Sequence, residues 1–404
     1  MNRTPHVTDA PYLDITDPSF SMHSEAVRDA RERSWYARTN YGLAVLRYAE
    51  VTELLRHPSL VQGSARWPDH HGVHDGPFHA WWARNLLVLE GDEHHRIRRL
   101  LNPAFSTRSA RRLEPVFTEV AEELVSSFAG RGHAEFVSEF AEPYATRALC
   151  AMMALPHSDW PFIAEHANTI GLALTVSVRD DIDRIDAAVR ALHDYVETLI
   201  AARVADPGED IVSQLVHTSA EDGDRLSAAE LRNAVVLMLF GGMDTTRNQL
   251  GLMLRTFLRL PDQWELVASR PELARAATEE ALRVAPTTTW VTREAAETFS
   301  FGGVEITEGT TVHLFTRAAG TDPRAYPGGG DVDVTAEERR PHRTFGGGIH
   351  HCIGHQIART DLAVALRVLT GRLTDVHPAG GDEWLPDSGN TGPIRYPITF
   401  TARA

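Results

Sequence analysis

The sequence predicts one large, mainly helical domain with a small β region, an α+β chain spanning residues 1–404. Three observations predict it. Helical periodicity dominates from Ser109 onward, with Leu113, Val116, Phe117, Val120 and Leu124 at spacings of three and four. Strand-like pieces are short and few. No internal repeat or low-complexity linker divides the 404 residues, although a prior of ~150 residues per domain would allow two or three domains.

Composition narrows the class. Apolar residues make up 43% and charged residues 24%, values of a globular chain that exclude a disordered tail or a collagen-like repeat. The longest strongly apolar run, Ala234 to Phe240, is seven residues, against the ~20 a membrane span needs. Met1 to Asp17 lacks the basic-then-apolar pattern of a signal peptide, so the expected compartment is the cytoplasm. A formal charge of −15 argues against nucleic acid as a partner. All 40 basic residues are arginine, which removes Schiff-base and P-loop lysine chemistry. Cys150 and Cys352 do not make a disulfide framework, but one of them can be a ligand or a nucleophile.

In chain order, Tyr41 to Arg47 reads as a strand and Tyr48 to Arg56 as a short helix. Ser64 to Asn85 is rich in glycine, proline and histidine and carries Trp67, Trp81 and Trp82. It reads as a long loop, either functional or a variable surface insertion. Helical stretches follow over Tyr144 to Met153, Trp160 to Val176 and Ile182 to Val204, the last broken by Asp206-Pro207-Gly208. Ser227-Ala228-Ala229-Glu230 is a capping box that opens a helix running to Leu260, where Pro261 stops it. That helix would be roughly 50 Å long. Its first half is apolar on nearly every side, so it should be buried and central.

The middle of this helix is unusual. Gly241-Gly242-Met243-Asp244-Thr245-Thr246 sets two helix-weakening glycines beside a carboxylate and two hydroxyls. A packing notch for a neighbouring helix explains the glycines. It does not explain a buried Asp, which is costly unless paired or hydrated. The functional reading is a locally opened helix beside a large ligand, with Asp and Thr handling protons or water.

The second unusual stretch is Phe345-Gly346-Gly347-Gly348-Ile349-His350-His351-Cys352-Ile353-Gly354, followed by helical pattern from Ile353 to Leu373. Cys352 is thereby set at a helix N-terminus, where the dipole and the loop amides favour thiolate. The residues alone leave three readings. One is a catalytic nucleophile with His350 or His351 as base. Another is a zinc half-site with His355. The third is a thiolate ligand to haem iron.

The loop resembles the cytochrome P450 signature F-G-x-G-x-H-x-C-x-G at every fixed position. Three further matches lie in the right order. Glu280-Ala281-Leu282-Arg283 looks like the family's E-x-x-R helix. Gly241 to Thr246 looks like its oxygen-activating centre. Glu93 to Arg99 is similar to the bacterial helix that holds haem propionates. The resemblance runs from about residue 90 to 373. It implies the cytochrome P450 fold of a soluble, actinomycete-like member, with haem b between the long helix and the Cys-loop helix.

Residue by residue, the resemblance makes Cys352 the axial ligand, in a loop shaped by Phe345, Gly346, Gly348 and Gly354. It gives the propionates to His94, Arg98, Arg293 and His350; the alternative for Arg293 is a surface charge on a strand edge. Asp244 and Thr245 resemble an acid–alcohol pair that relays protons. Glu280 and Arg283 become a structural pair with His342 as third member. Leu87, Leu237, Phe240, Gly241, Thr288, Thr289, Val291 and Thr391 should line the substrate pocket, and the threonines with Trp290 point to a substrate with polar groups and a ring.

The implied activity is insertion of one atom from O2 into a small hydrophobic molecule, such as a secondary-metabolite intermediate. Electrons would come from a separate ferredoxin and ferredoxin reductase. Arg99, Arg111, Arg112, Arg339, Arg340 and Arg343 are candidates for that docking face. An acyl or peptidyl carrier protein presenting a tethered substrate is a further partner. The alternative function is a haem protein without catalysis that recruits another enzyme. The chain departs from the family pattern at Ala319-Gly320-Thr321-Asp322-Pro323 and at Gly328-Gly329-Gly330, which leaves docking and loop shape open.

Overall fold

The computed structural model describes residues 10–17, 19–174, 178–221, 226–387 and 389–403. Most of the expected signal-free N-terminus, and the end of the stretch expected to run to Val176, lie outside these residues.

The chain begins with α1 (Glu25–Arg33), β1 (Tyr36–Thr39), β2 (Gly42–Val45), α2 (Tyr48–Leu54) and β3 (Leu60–Gln62). A helical series follows: α3 (Trp67–His70), α4 (Gly76–Trp82), α5 (Gly91–Leu101), α6 (Thr107–Ala129), then β4 (His133–Glu135), α7 (Glu142–Met152), α8 (Trp160–Gly171), α9 (Ile182–Ala205) and α10 (Ile211–Glu221). The long helix is α11 (Ala228–Leu258), followed by α12 (Pro261–Ser269) and α13 (Ala274–Val284). Next come β5 (Val291–Ala295), β6 (Phe299–Phe301), β7 (Val304–Ile306), β8 (Thr311–Leu314) and α14 (Thr316–Gly320). The chain closes with α15 (His355–Arg372), β9 (Leu373–Pro378), β10 (Glu383–Trp384), β11 (Pro393–Arg395) and β12 (Pro397–Ala402). The fold is thus mainly α with small sheets, as the sequence predicts.

Contacts group the chain into two compact units. The first holds residues up to 64 together with 279–352 and 385–391. Its core is a five-stranded sheet in the order β1-β2-β8-β5-β3, antiparallel except between β2 and β8. Alternation along the strands sends Leu43, Val45, Val312 and Leu314 into one apolar cluster. Ala44, Leu46 and Phe315 enter another.

The second unit holds residues 65–278, 353–384 and 392–404. Here α15 packs along α6, and α11 touches α7, α8, α9, α12 and α15. That contact set explains why α11 is apolar on most sides: nineteen of its residues are buried. Its capping box is present in full, with Ser227 Oγ accepting from the Glu230 N–H and Glu230 accepting from the Ser227 N–H. Glu230 also pairs with Arg96, which ties α5 to the start of α11. The helix ends two residues before the expected Leu260, and Pro261 opens α12 at its first position.

Ser64 to Asn85 is not a structureless loop. It forms α3 and α4, and Phe78, Trp81 and Trp82 are almost fully buried. Composition misled here: glycine and proline sit at the N-termini of these short helices, where they are tolerated. The Trp67 indole donates to the Ala173 carbonyl at 2.7 Å, and Asp186 accepts from the Phe78 N–H at 2.8 Å. Among the described residues no helix is long and apolar enough to cross a membrane.

Candidate active site

The first unit carries the cysteine loop. The Cys352 N–H donates back to the Phe345 carbonyl at 2.9 Å, closing the loop on itself. Gly346 and Gly348 sit at φ +69° and +67°, conformations that side chains adopt only with strain. At Gly348 a Cβ would also lie 2.6 Å from the Leu55 carbonyl oxygen. The glycines therefore shape the turn that presents Cys352, which is half-buried and three residues ahead of α15. Cys150 differs: it is buried within α7, and burial pushes its thiol up to about 12. It is chemically inert by comparison.

Arg293 also belongs to the first unit. It is 3% exposed on β5, between β8 and β3, so it is neither an edge residue nor a surface charge. Its guanidinium donates to the Thr292 carbonyl at 2.9 Å. His350 is half-buried in the short turn Gly348–His350. The second unit supplies His94 and Arg98, one helical turn apart on α5. His94 is 1% exposed, and Arg98 donates to Asn102 at 3.0 Å.

In α11 the helix is continuous through Gly241–Thr246, so the expected local opening is absent. The two glycines have different reasons. A Cβ on Gly242 would meet Leu149 of α7 at 3.1 Å, the packing notch. A Cβ on Gly241 would meet no described atom within 4 Å. Leu237, Gly241 and Thr245 lie four apart and are half-buried, with the exposed Gly242 beside them. They form one stripe on the helix, open at Gly241. Thr245 Oγ1 donates to the Gly241 carbonyl at 2.7 Å on that stripe. Asp244 is 6% exposed and is paired rather than bare: Arg247 lies 3.3 Å from Oδ1, and Asn248 donates to Oδ2 at 3.3 Å. Sequence reading missed Arg247 and Asn248, although their i+3 and i+4 spacing from Asp244 was the available signal.

The Glu280–Arg283 pair is bidentate at 2.9 and 2.7 Å and buried. Arg283 further donates to the carbonyls of Gly320 at 2.8 Å, Gly329 at 2.6 Å and Asp331 at 2.5 Å. His342 is not the third member: its Nε2 lies 3.2 Å from Glu279. That place is taken by Arg339, 3.7 Å from Glu280. The two departures from the family pattern, at 319–323 and 328–330, thus supply main-chain acceptors to Arg283.

Several expected pocket residues are placed otherwise. The Thr289 hydroxyl donates to the Gly389 carbonyl at 2.9 Å and Thr289 is 0% exposed. Thr287 donates to the Thr391 carbonyl at 2.8 Å, Thr288 bonds Asn390 at 3.0 Å, and the Thr391 hydroxyl points to the Leu385 carbonyl at 3.3 Å. These hydroxyls tie residues 287–289 to residues 389–391, so they do not advertise a polar substrate. Trp290 stacks on Phe315 at 5.5 Å. Phe240 is buried edge-on to Trp81 and lies off the half-buried stripe. Val291 is half-buried, and Leu87 is exposed at 38%. Of the docking candidates, Arg339 and Arg343 are committed inside the first unit, Arg343 to Thr52 and Tyr48. Arg99, Arg111, Arg112 and Arg340 are exposed.

These features fit a flat, anionic, iron-bearing group. The first unit offers one presented sulfur with Arg293 and His350, and the second unit offers His94 and Arg98, the side-chain types that hold iron and carboxylates. Gly241 and Gly354 each border space that a Cβ would enter without meeting a described atom.

The comparisons with known proteins agree. The cytochrome P450 family profile matches residues 261–373. The chain is 35% identical to the luteothin monooxygenase of Streptomyces thioluteus, covering 100% of each chain. It is 33% identical to the nocardicin C N-oxygenase of Nocardia uniformis subsp. tsuyamanensis, over 79% of this chain and 80% of that one. Among solved structures, CalO2 aligns with a TM-score of 0.86 at 28% identity, covering 93% of this chain and 95% of that one. A mainly helical fold with a cysteine-presenting glycine loop, in a chain with these relatives, is that of a haem-thiolate oxidoreductase. The chain belongs to the cytochrome P450 family, and its relatives named here include a monooxygenase and an N-oxygenase.

Proposed function

We propose that the protein inserts one oxygen atom from O2 into a small hydrophobic secondary-metabolite intermediate, using haem b. Cys352 would hold the haem, which would supply oxygen-activating iron tuned by a thiolate ligand. His94, Arg98, Arg293 and His350 would hold its propionates by charge-assisted hydrogen bonds. Residues 1–404 act as a single domain in this reading, supported by the full-length alignment to a relative. Relatives named for luteothin, nocardicin C and mycinamicin IV support the substrate class.

The observation that carries the proposal is the half-buried stripe of Leu237, Gly241 and Thr245 beside the buried Asp244. Leu237 and Gly241 offer an apolar floor. Thr245 holds a hydroxyl on that floor, and Asp244 replenishes its proton through water. This pair favours catalysis over a non-catalytic haem protein. The Thr245→Ala variant should keep its haem and its substrate-induced Soret shift but release peroxide in place of product. Full coupling of electrons to product in that variant would remove the acid–alcohol assignment.

Electrons come from a separate ferredoxin and reductase, which sets the protein in the cytoplasm. The exposed Arg99, Arg111, Arg112 and Arg340 are the docking cations that remain. Arg→Glu at each should slow ferredoxin-driven turnover several-fold, with a steep salt dependence, and leave peroxide-driven turnover alone. Equal rates for all four would remove these residues as docking cations.

A further inference from the structure

We infer that Arg247 is a positioning residue for proton delivery, acting through Asp244. The inference rests on the acid–alcohol reading and adds a member to it. Three side chains of α11, at positions 244, 247 and 248, close a ring. Arg247 Nη2 lies 3.3 Å from Asp244 Oδ1 and 3.0 Å from Asn248 Oδ1, while Asn248 Nδ2 lies 3.3 Å from Asp244 Oδ2. Both carboxylate oxygens are therefore engaged by the next turn of the same helix.

The ring is buried and braced. Side-chain exposure is 8% for Asp244 and 14% for Arg247. Asn248 is 0% exposed. The main chain at Gly392 closes on Asn248, where a Cβ would lie 2.5 Å from the Asn248 side chain. At the end of α8, Gly171 approaches Asp244 Oδ1 without a side chain, a Cβ there lying 3.4 Å away. So Asn248 cannot swing aside, and Arg247 bridges it to the carboxylate. A desolvated carboxylate depends strongly on such a partner.

Direction matters as much as charge. Residues 244 and 245 point about 100° apart on the helix. Thr245 faces the open stripe, and the ring holds Asp244 on the neighbouring flank. Arg247 thus fixes the place from which Asp244 returns a proton to Thr245. Without it, the carboxylate loses its partner at Oδ1 and the bridge to Asn248, and with them its aim.

The test compares holoenzyme carrying Arg247→Leu, Arg247→Lys, Asp244→Asn and the double variant Asp244→Asn/Arg247→Leu. A chloroplast-type ferredoxin and its reductase supply electrons, no substrate is added, and peroxide and water formed per NADPH are measured. Arg247→Leu should slow water formation about tenfold, a fraction of what a whole acid–base group contributes, and raise the peroxide share. Arg247→Lys should restore part of it. The double variant should match Asp244→Asn alone, because Arg247 acts through that carboxylate.

Melting temperature gives a second readout. Arg247→Leu should melt lower than wild type, and the loss should shrink when Asp244 is already asparagine, because the pair it breaks is then absent from both. If Arg247→Leu does not accumulate as folded protein, the neutral Arg247→Gln carries the same comparison. An unchanged peroxide share in the Arg247 variants, with Asp244→Asn impaired, overturns this inference alone. So does an Arg247 effect that persists undiminished in the double variant. Wild-type behaviour of Asp244→Asn overturns the acid–alcohol reading and the inference with it.

Discussion

Cys352→Ser is expected to abolish oxygen-dependent turnover while the chain still folds. The loop owes its shape to Gly346, Gly348 and the Cys352 N–H to Phe345 carbonyl bond, none of which needs the sulfur. A serine hydroxyl fits the space but does not ionise at neutral pH, so the electron push from a thiolate is lost. Some haem should remain, because His94 and Arg293 are buried and independent of the ligand. The Cys150→Ser control should behave as wild type, since that thiol is buried and raised to about 12. Product formation and iron content of both variants check the expectation. Retained turnover in Cys352→Ser would show that another group serves the iron.

The second large effect is on folding. Arg283→Leu should destabilise the protein by about 3–5 kcal/mol, the cost of stranding one member of a buried pair. It leaves Glu280 buried without its fork and the carbonyls of Gly320, Gly329 and Asp331 without their donor. Arg283→Lys should recover little, because one ammonium cannot reach a carboxylate and three carbonyls at once. His342→Ala should cost less, since its imidazole pairs with the partly exposed Glu279 rather than with Glu280. Urea unfolding of the three variants orders these effects. Equal losses for Arg283→Leu and His342→Ala would contradict the network described here.

What was legible in the sequence was whatever is enforced locally. The capping box at Ser227 and Glu230 is a four-residue device, and it formed as read. The periodic runs became α6, α7, α9 and α15 within a few residues. The cysteine loop could be read because positive φ at two positions demands glycine and leaves a visible pattern. Segment 64–85 was not legible: its helices depend on burying Phe78, Trp81 and Trp82, and composition does not reveal burial. The threonines at 287–289 failed for a similar reason. Whether a hydroxyl faces a substrate or a main-chain carbonyl depends on a segment about 100 residues away. The role of Gly320 and Gly329 as acceptors for Arg283 was invisible too, because carbonyls carry no residue identity.

The sulfur of Cys352 is the central assignment, as the iron's ligand. Iron X-ray absorption fine structure of the purified holoprotein tests it directly. The expected result is one sulfur scatterer beside the equatorial nitrogens, absent from Cys352→Ser and present in Cys150→Ser. A first shell of nitrogen and oxygen alone, or a protein that takes up no iron when supplied with haem, would contradict the assignment.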